Sequence, residues 1–265
     1  MARTRGTWNS KGVVGAGIAA AAVVALTGYA MFSGDDGGSS EGKGGSASPS
    51  VSSSASPSAT YQEPDNWTEP ERWAALPRGE RTNSRGSQVG FPHTTEGAVA
   101  MMAAANTTDI EADKSNVDEQ LRIYYSYIAK ADQSSDNAEQ IELQALQTDK
   151  SLHQQMGVSA KSPLPSGAYV RSNVVGYKVI KESPNEVSVW LLSRAAQKDG
   201  ETAKESNSYT RVVNGAVWEN GDWKLSGAAT KTALAAAQKG TQPKMVAPGD
   251  AAFNAAGWTA IREAS

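Results

Sequence analysis

Val217-Trp218-Glu219-Asn220-Gly221-Asp222-Trp223-Lys224-Leu225 decides how this 265-residue chain folds. Asn220-Gly221 is the strongest hairpin signal in the sequence, because a type I′ turn needs positive φ at both central positions and these two residues tolerate it. Trp218 and Trp223 should then stand close together on two antiparallel strands. Upstream, apolar residues recur every second position. Val175, Tyr177 and Val179 mark one strand, and Ser183-Pro184-Asn185 a turn. Val187, Val189 and Leu191 mark the next, with Trp190 and Leu192 on its opposite face. Lys198-Asp199-Gly200 breaks the pattern before a third strand near Tyr209 to Trp218, and Trp223 with Leu225 carries the fourth.

Before Pro163-Leu164-Pro165 the period is helical. Thr94 is placed to cap a helix through Ala98-Val99-Ala100-Met101-Met102. Ser115 with Asp118 three positions on makes a capping box for a second helix, whose stripe is Val117, Leu121, Tyr124 and Ile128. A third runs from about Asp136 to Gly157, lined by Ile141, Ala145, Leu152 and Met156. The tail with Phe253, Trp258 and Ile261 reads as a short helix. The expected class is α+β: about three helices packed on a curved, cone-like four-stranded antiparallel sheet. Trp67 to Phe91, rich in Pro, Gly and Arg yet carrying Trp67, Trp73, Leu76 and Phe91, reads as an irregular arm on that domain, whose bounds are 61–265.

Further out, Val13 to Phe32 is an uncharged apolar run of about 30 Å as a helix, the hydrocarbon thickness of a bilayer. Arg3, Arg5 and Lys11 precede it and Asp35 and Asp36 follow, which puts residues 1–12 in the cytoplasm and the rest outside. The run is longer than a signal-peptide core, so the expectation is an uncleaved single-pass anchor at the cell membrane, with cleavage near Ala30 as the alternative. Gly17, Ala21 and Ala25 share one face of this helix, a small-residue spacing on which two copies could pack as a homo-oligomer. Residues 33–60 are Gly, Ser, Ala and Pro with few charges, too apolar-poor to fold, and read as a tether.

The charge balance excludes one class of partner. All 28 acidic residues but only 22 of the 25 basic ones follow the span. No basic stripe is available for a phosphate backbone, so no direct nucleic-acid binding is expected. With no cysteine, there is neither a disulfide framework nor a lipid-modified cysteine anchor, and the domain must rely on an apolar core.

Catalytic chemistry is sparse. A zinc or iron site needs clustered His or Cys, whereas His93 and His153 stand far apart in sequence. No metal and no cofactor are expected. There is no G-x-S-x-G elbow, and Ser40-Glu41-Gly42-Lys43, an S-x-x-K match, sits in the tether. His93 before a helix could act as a general base, but a residue there more often packs and bonds a backbone group. No catalytic residue is assigned. Tyr177, Trp190, Trp218 and Trp223 form a candidate pocket or aromatic platform, although tryptophans on a curved sheet more often fill a core.

The order of elements and the closing Trp218-Glu219-Asn220-Gly221-Asp222-Trp223 resemble the cone fold of the nuclear-transport-factor-2-like superfamily. Trp73…Leu76-Pro77 and Gly90-Phe91-Pro92-His93-Thr94…Gly97-Ala98-Val99 resemble an uncharacterised family of actinobacterial membrane-anchored proteins often found with integrative and conjugative elements. The resemblance covers residues 67–260. It implies an exported domain like those of single-pass scaffold subunits of conjugation and type IV secretion machines, although the long tether departs from them. By analogy with cone-fold enzymes, Asp118, Asp222 and Tyr177 become conceivable pocket residues; Asp118 is better explained as a capping partner and Asp222 as the residue after a hairpin turn. The expected function is a membrane-anchored, non-enzymatic extracytoplasmic scaffold with unidentified protein partners. The alternative is a small-ligand binder or enzyme of the cone fold.

Overall fold

The structure, a computed structural model, describes residues 65–262. The expected membrane span, its Gly17, Ala21 and Ala25 face, and the tether lie outside these residues. Among the described residues, no helix is long and apolar enough to cross a membrane.

Local chemistry positions the helices as the sequence indicates. Helix α1 (Thr95–Ala105) starts where the Thr94 side chain accepts from the Gly97 backbone N–H. Helix α2 (Asn116–Tyr127) carries the full Ser115/Asp118 capping box. Helix α3 (Ser135–Gln155) is capped by Ser134. Each cap satisfies amide groups that the helix itself leaves without partners. Helix α1 is Ala- and Met-rich and buries Ala98, Val99, Met101, Met102 and Ala105, so it is apolar nearly all round, as a core helix should be.

The expectation of four antiparallel strands carrying three helices is corrected. The main sheet has seven strands and is mixed. Strands β5 (Ala168–Ser183), β6 (Glu186–Asp199), β7 (Ser206–Glu219) and β8 (Asp222–Leu225) form the expected meander. Three more join it: β4 (Thr108–Ile110) pairs with β5, β9 (Thr259–Arg262) pairs with β5 at Gly176–Tyr177, and β1 (Trp73–Ala75) pairs with β9 in parallel. A separate hairpin is made by β2 (Arg81–Thr82) and β3 (Gln88–Val89). The three strands added to the sheet are three or four residues long, too short for alternation to mark them, and their partners lie far away in sequence. The expected C-terminal helix is corrected likewise. Only Ala251–Ala255 is helical (α5), with Phe253 buried, whereas Ile261 lies in β9 just after Trp258.

The sheet is also covered on both faces rather than wrapped around one helical layer. One face carries α1 to α3 over Val187, Val189, Leu191, Ala216, Trp223 and Leu225. The other carries α4 (Gly227–Ala237), α5 and the segment around Val246, over Leu192, Tyr209, Val213, Trp258 and Ala260. Helix α4 lies very close to the sheet. A Cβ on Gly215 would come within 2.5 Å of the Ala229 backbone carbon, so only glycine fits there.

The turn that organises the sequence forms as expected. Asn220 has φ 52° and Gly221 φ 81°, and Trp218 pairs with Trp223 across β7 and β8.

Candidate functional site

Three chain segments meet at that hairpin. The His93 ring stacks on Trp218 with centroids 3.9 Å apart and planes 10° from parallel, and it meets Trp223 edge-on at 5.6 Å. Its Nε2 faces the Pro184 carbonyl at 2.7 Å and the Asn185 Oδ1 at 3.0 Å, so this nitrogen carries the proton and donates. The Trp223 indole N–H donates to the Pro92 carbonyl at 2.9 Å. Asp222 accepts from the Phe91 and Trp223 backbone amides through Oδ1 and from the Lys224 ammonium through Oδ2. Lys224 in turn donates to the Ser126 carbonyl. His93 and Asp222 thus lock the start of α1, the β5–β6 turn and the β7–β8 hairpin to one another. The His93 Nε2 and both Asp222 carboxylate oxygens face partners within the chain, an arrangement that suits a joint.

The other residues singled out from the sequence are not gathered here. Trp190 lies on the opposite sheet face under the Arg211 guanidinium, so the four-residue platform does not assemble. Tyr177 packs against the core on the α1–α3 side, and burial raises its pKa, with Glu96 adding to the effect. Both ring nitrogens of His153 face backbone carbonyls, of Asp149 at 2.6 Å and Ser162 at 2.9 Å, tying the end of α3 to the loop after it. Among the described residues, no three His, Cys, Asp or Glu side chains cluster as metal ligands.

An open groove of about 660 Å³ lies elsewhere, between the β2–β3 loop, β4 and α2. Its loop is shaped by Asn83, whose Oδ1 accepts from the Arg85 and Ser87 amides while its side-chain NH2 donates to Ser126 on α2. One wall carries Ser84, Arg85 and Gly86; the other carries Lys114, Asp118 and Leu121. The floor is Arg122. Its guanidinium donates to both Glu119 oxygens, to the Ser87 hydroxyl at 2.9 Å and to the Thr107 carbonyl at 3.2 Å. Burial works against the Arg122 charge, but Glu119 outweighs it and the pKa rises. Beside it, burial raises the Tyr127 pKa even though Ser87 and Arg122 oppose this. At the rim, Arg85 lies over the Tyr125 ring at 4.4 Å.

Sequence reasoning reached two lining residues: Asp118, as a capping partner and conceivable pocket residue, and Leu121, as part of the apolar stripe of α2. Two signals could have found part of the rest: Asn83-Ser84-Arg85-Gly86, an Asx-turn composition, and Glu119 with Arg122, an oppositely charged i,i+3 pair next to the apolar stripe of α2; nothing local marks Thr107, Asp109 or Lys114.

The groove lies within the part of the chain that a family model covers. The chain belongs to a family described as Domain of unknown function (DUF8175). The match spans residues 39–243, well over half of the chain, and takes in the groove and the hairpin joint. No curated protein and no solved structure matches the chain.

Proposed function

We propose that this DUF8175 chain is a membrane-anchored interaction module that presents its folded domain outside the cytoplasm and contacts a protein partner through the groove over Arg122. The groove carries the reading. It is wide and open, its charged floor is already neutralised internally by Glu119, and its rim offers Arg85 stacked on a half-exposed Tyr125. Arg and Tyr are the residues that most often anchor protein contacts. Support for the anchor comes from Val13 to Phe32 with its flanking charges, and for free presentation of the domain from the composition of residues 33–60. A conjugation or type IV secretion-like assembly is the setting to which the sequence resemblance points.

The test is site-specific photocrosslinking with the full chain in its native cells. A photoreactive residue in place of Leu121 should give one discrete adduct, whereas one in place of Lys231, exposed on α4 across the sheet, should not. Equal adducts from both positions, or none from position 121, would contradict the groove as the contact surface.

A further inference from the structure

The sheet face beneath the helices changes character along its length. Near the hairpin it is apolar, with Val187, Val189, Leu191 and Ala216. Toward the other end it turns into hydroxyls. Thr108 of β4 pairs with Ser172 of β5, and Ser193 of β6 pairs with Val174 and with Thr210 of β7, so Thr108, Ser172, Ser193 and Thr210 share the face that looks toward the helical layer. That layer supplies Gln120 and, one turn earlier on α2, Asn116, whose Nδ2 donates to the Ala145 carbonyl of α3. All six residues are at least 95% buried. None of Thr108 Oγ1, Ser172 Oγ, Ser193 Oγ, Thr210 Oγ1, Asn116 Oδ1 and Gln120 Nε2 has a hydrogen-bond partner among the described residues.

Unmatched polar atoms along one sheet face need an explanation. Buried polar groups are nearly always paired, because an unmade bond costs the group its full desolvation. The atoms include donors and acceptors, and all six side chains are uncharged, so a buried ion would find no counter-charge here. The row from β4 to β7 crosses three strand spacings, about 14 Å.

We infer that this polar seam is a binding site for a small neutral polyhydroxylated molecule of polyol or monosaccharide size, whose hydroxyls pair with Ser172, Ser193 and Thr210, neighbours on the adjacent strands β5, β6 and β7. The site is separate from the groove. Thr107 and Asp109 line the groove, whereas Thr108 between them lies on the opposite face, so the two can be tested apart.

The experiment is saturation-transfer difference NMR on the full chain, with glycerol, myo-inositol and D-glucose as probes. A ligand-observed signal is preferable to a melting shift, since polyols at high concentration stabilise proteins without binding. At least one probe should give a saturable signal. The signal should disappear in the Ser193→Ala/Thr210→Val double variant, which keeps the side-chain volume nearly constant and removes two hydroxyls. Absence of a signal from all three probes with the wild-type chain would overturn the proposal, whatever the variant does. An equal signal from a folded double variant would overturn it too. Where the double variant does not fold, Ser172→Ala serves as the second reading, with at least a several-fold loss of affinity expected and an unchanged signal counting against the site. A seam that holds only water would show wild-type water contacts and no probe signal, which also counts against it.

Discussion

The His93 ring is worth more to the fold than its exposed position suggests. Replacing it by Ala removes the stack on Trp218 and the bond to the Pro184 carbonyl, and should lower stability by about 1–2 kcal/mol while leaving partner capture from position 121 intact. Thermal melting together with the crosslinking yield checks both halves of that statement. Gly221→Val puts a β-branched residue at φ 81° and should destabilise by a similar amount, about 1–2 kcal/mol, read from the denaturant midpoint. Arg122 is the more severe case. Arg122→Leu strands the Glu119 carboxylate, which is only 8% exposed, and frees the Ser87 hydroxyl and Thr107 carbonyl of their donor. A loss of about 3 kcal/mol is expected. Adding Glu119→Leu should recover most of it, because a fully apolar pair leaves no buried charge. A double variant no more stable than the single one would show that the ion pair is not what holds the floor.

At the scale of elements, the chain is closed by a clasp between its first and last described segments. Glu69 accepts from the indole N–H groups of both Trp67 and Trp73, Thr68 donates to the Gly249 carbonyl, and Asn254 bonds Glu69 and Glu71 backbone groups. The two indole bonds, first Trp67 and then Trp73, hold the Glu69 pKa below its ordinary value. A lowered carboxyl pKa contributes stability at neutral pH that disappears as pH falls through the ordinary carboxylate range, below about pH 4. Tryptophan emission in the wild type should therefore shift in acid before global unfolding, and Glu69→Gln should abolish that early shift. The clasp also shows where sequence reading stops. Thr94, Ser115 with Asp118, and Asn220-Gly221 were legible because a cap or turn is decided by a few adjacent residues. The β1–β9–β5 pairing was not, because Trp73–Ala75 and Thr259–Arg262 find each other across the whole domain. Trp258 and Ile261 were read as helical although Trp258 precedes a strand and Ile261 lies in it, since three apolar positions cannot separate the two periods. Helix α4 was overlooked because an Ala-rich stretch has little periodic contrast. The groove was hidden for a related reason: its lining comes from residues 84–86, from Thr107 and Asp109, and from positions between Lys114 and Arg122, which only the folded chain brings together.

At the scale of the whole molecule, the function proposed above requires an anchored domain whose α2 side faces a protein partner while its α4 side faces solvent. The absence of native cysteine makes single-cysteine labelling a clean readout. Lys114→Cys places a thiol on the groove wall, and Lys231→Cys places one on the exposed side of α4. Each full-length variant is treated with a membrane-impermeant maleimide, once in intact native cells and once after purification. The account predicts that Cys at position 231 labels in both settings, whereas Cys at position 114 labels when purified and is protected in cells. A groove thiol that labels as readily in cells as in the purified chain would contradict the contact surface, and failure of the position-231 thiol to label in intact cells would contradict presentation outside the cytoplasm.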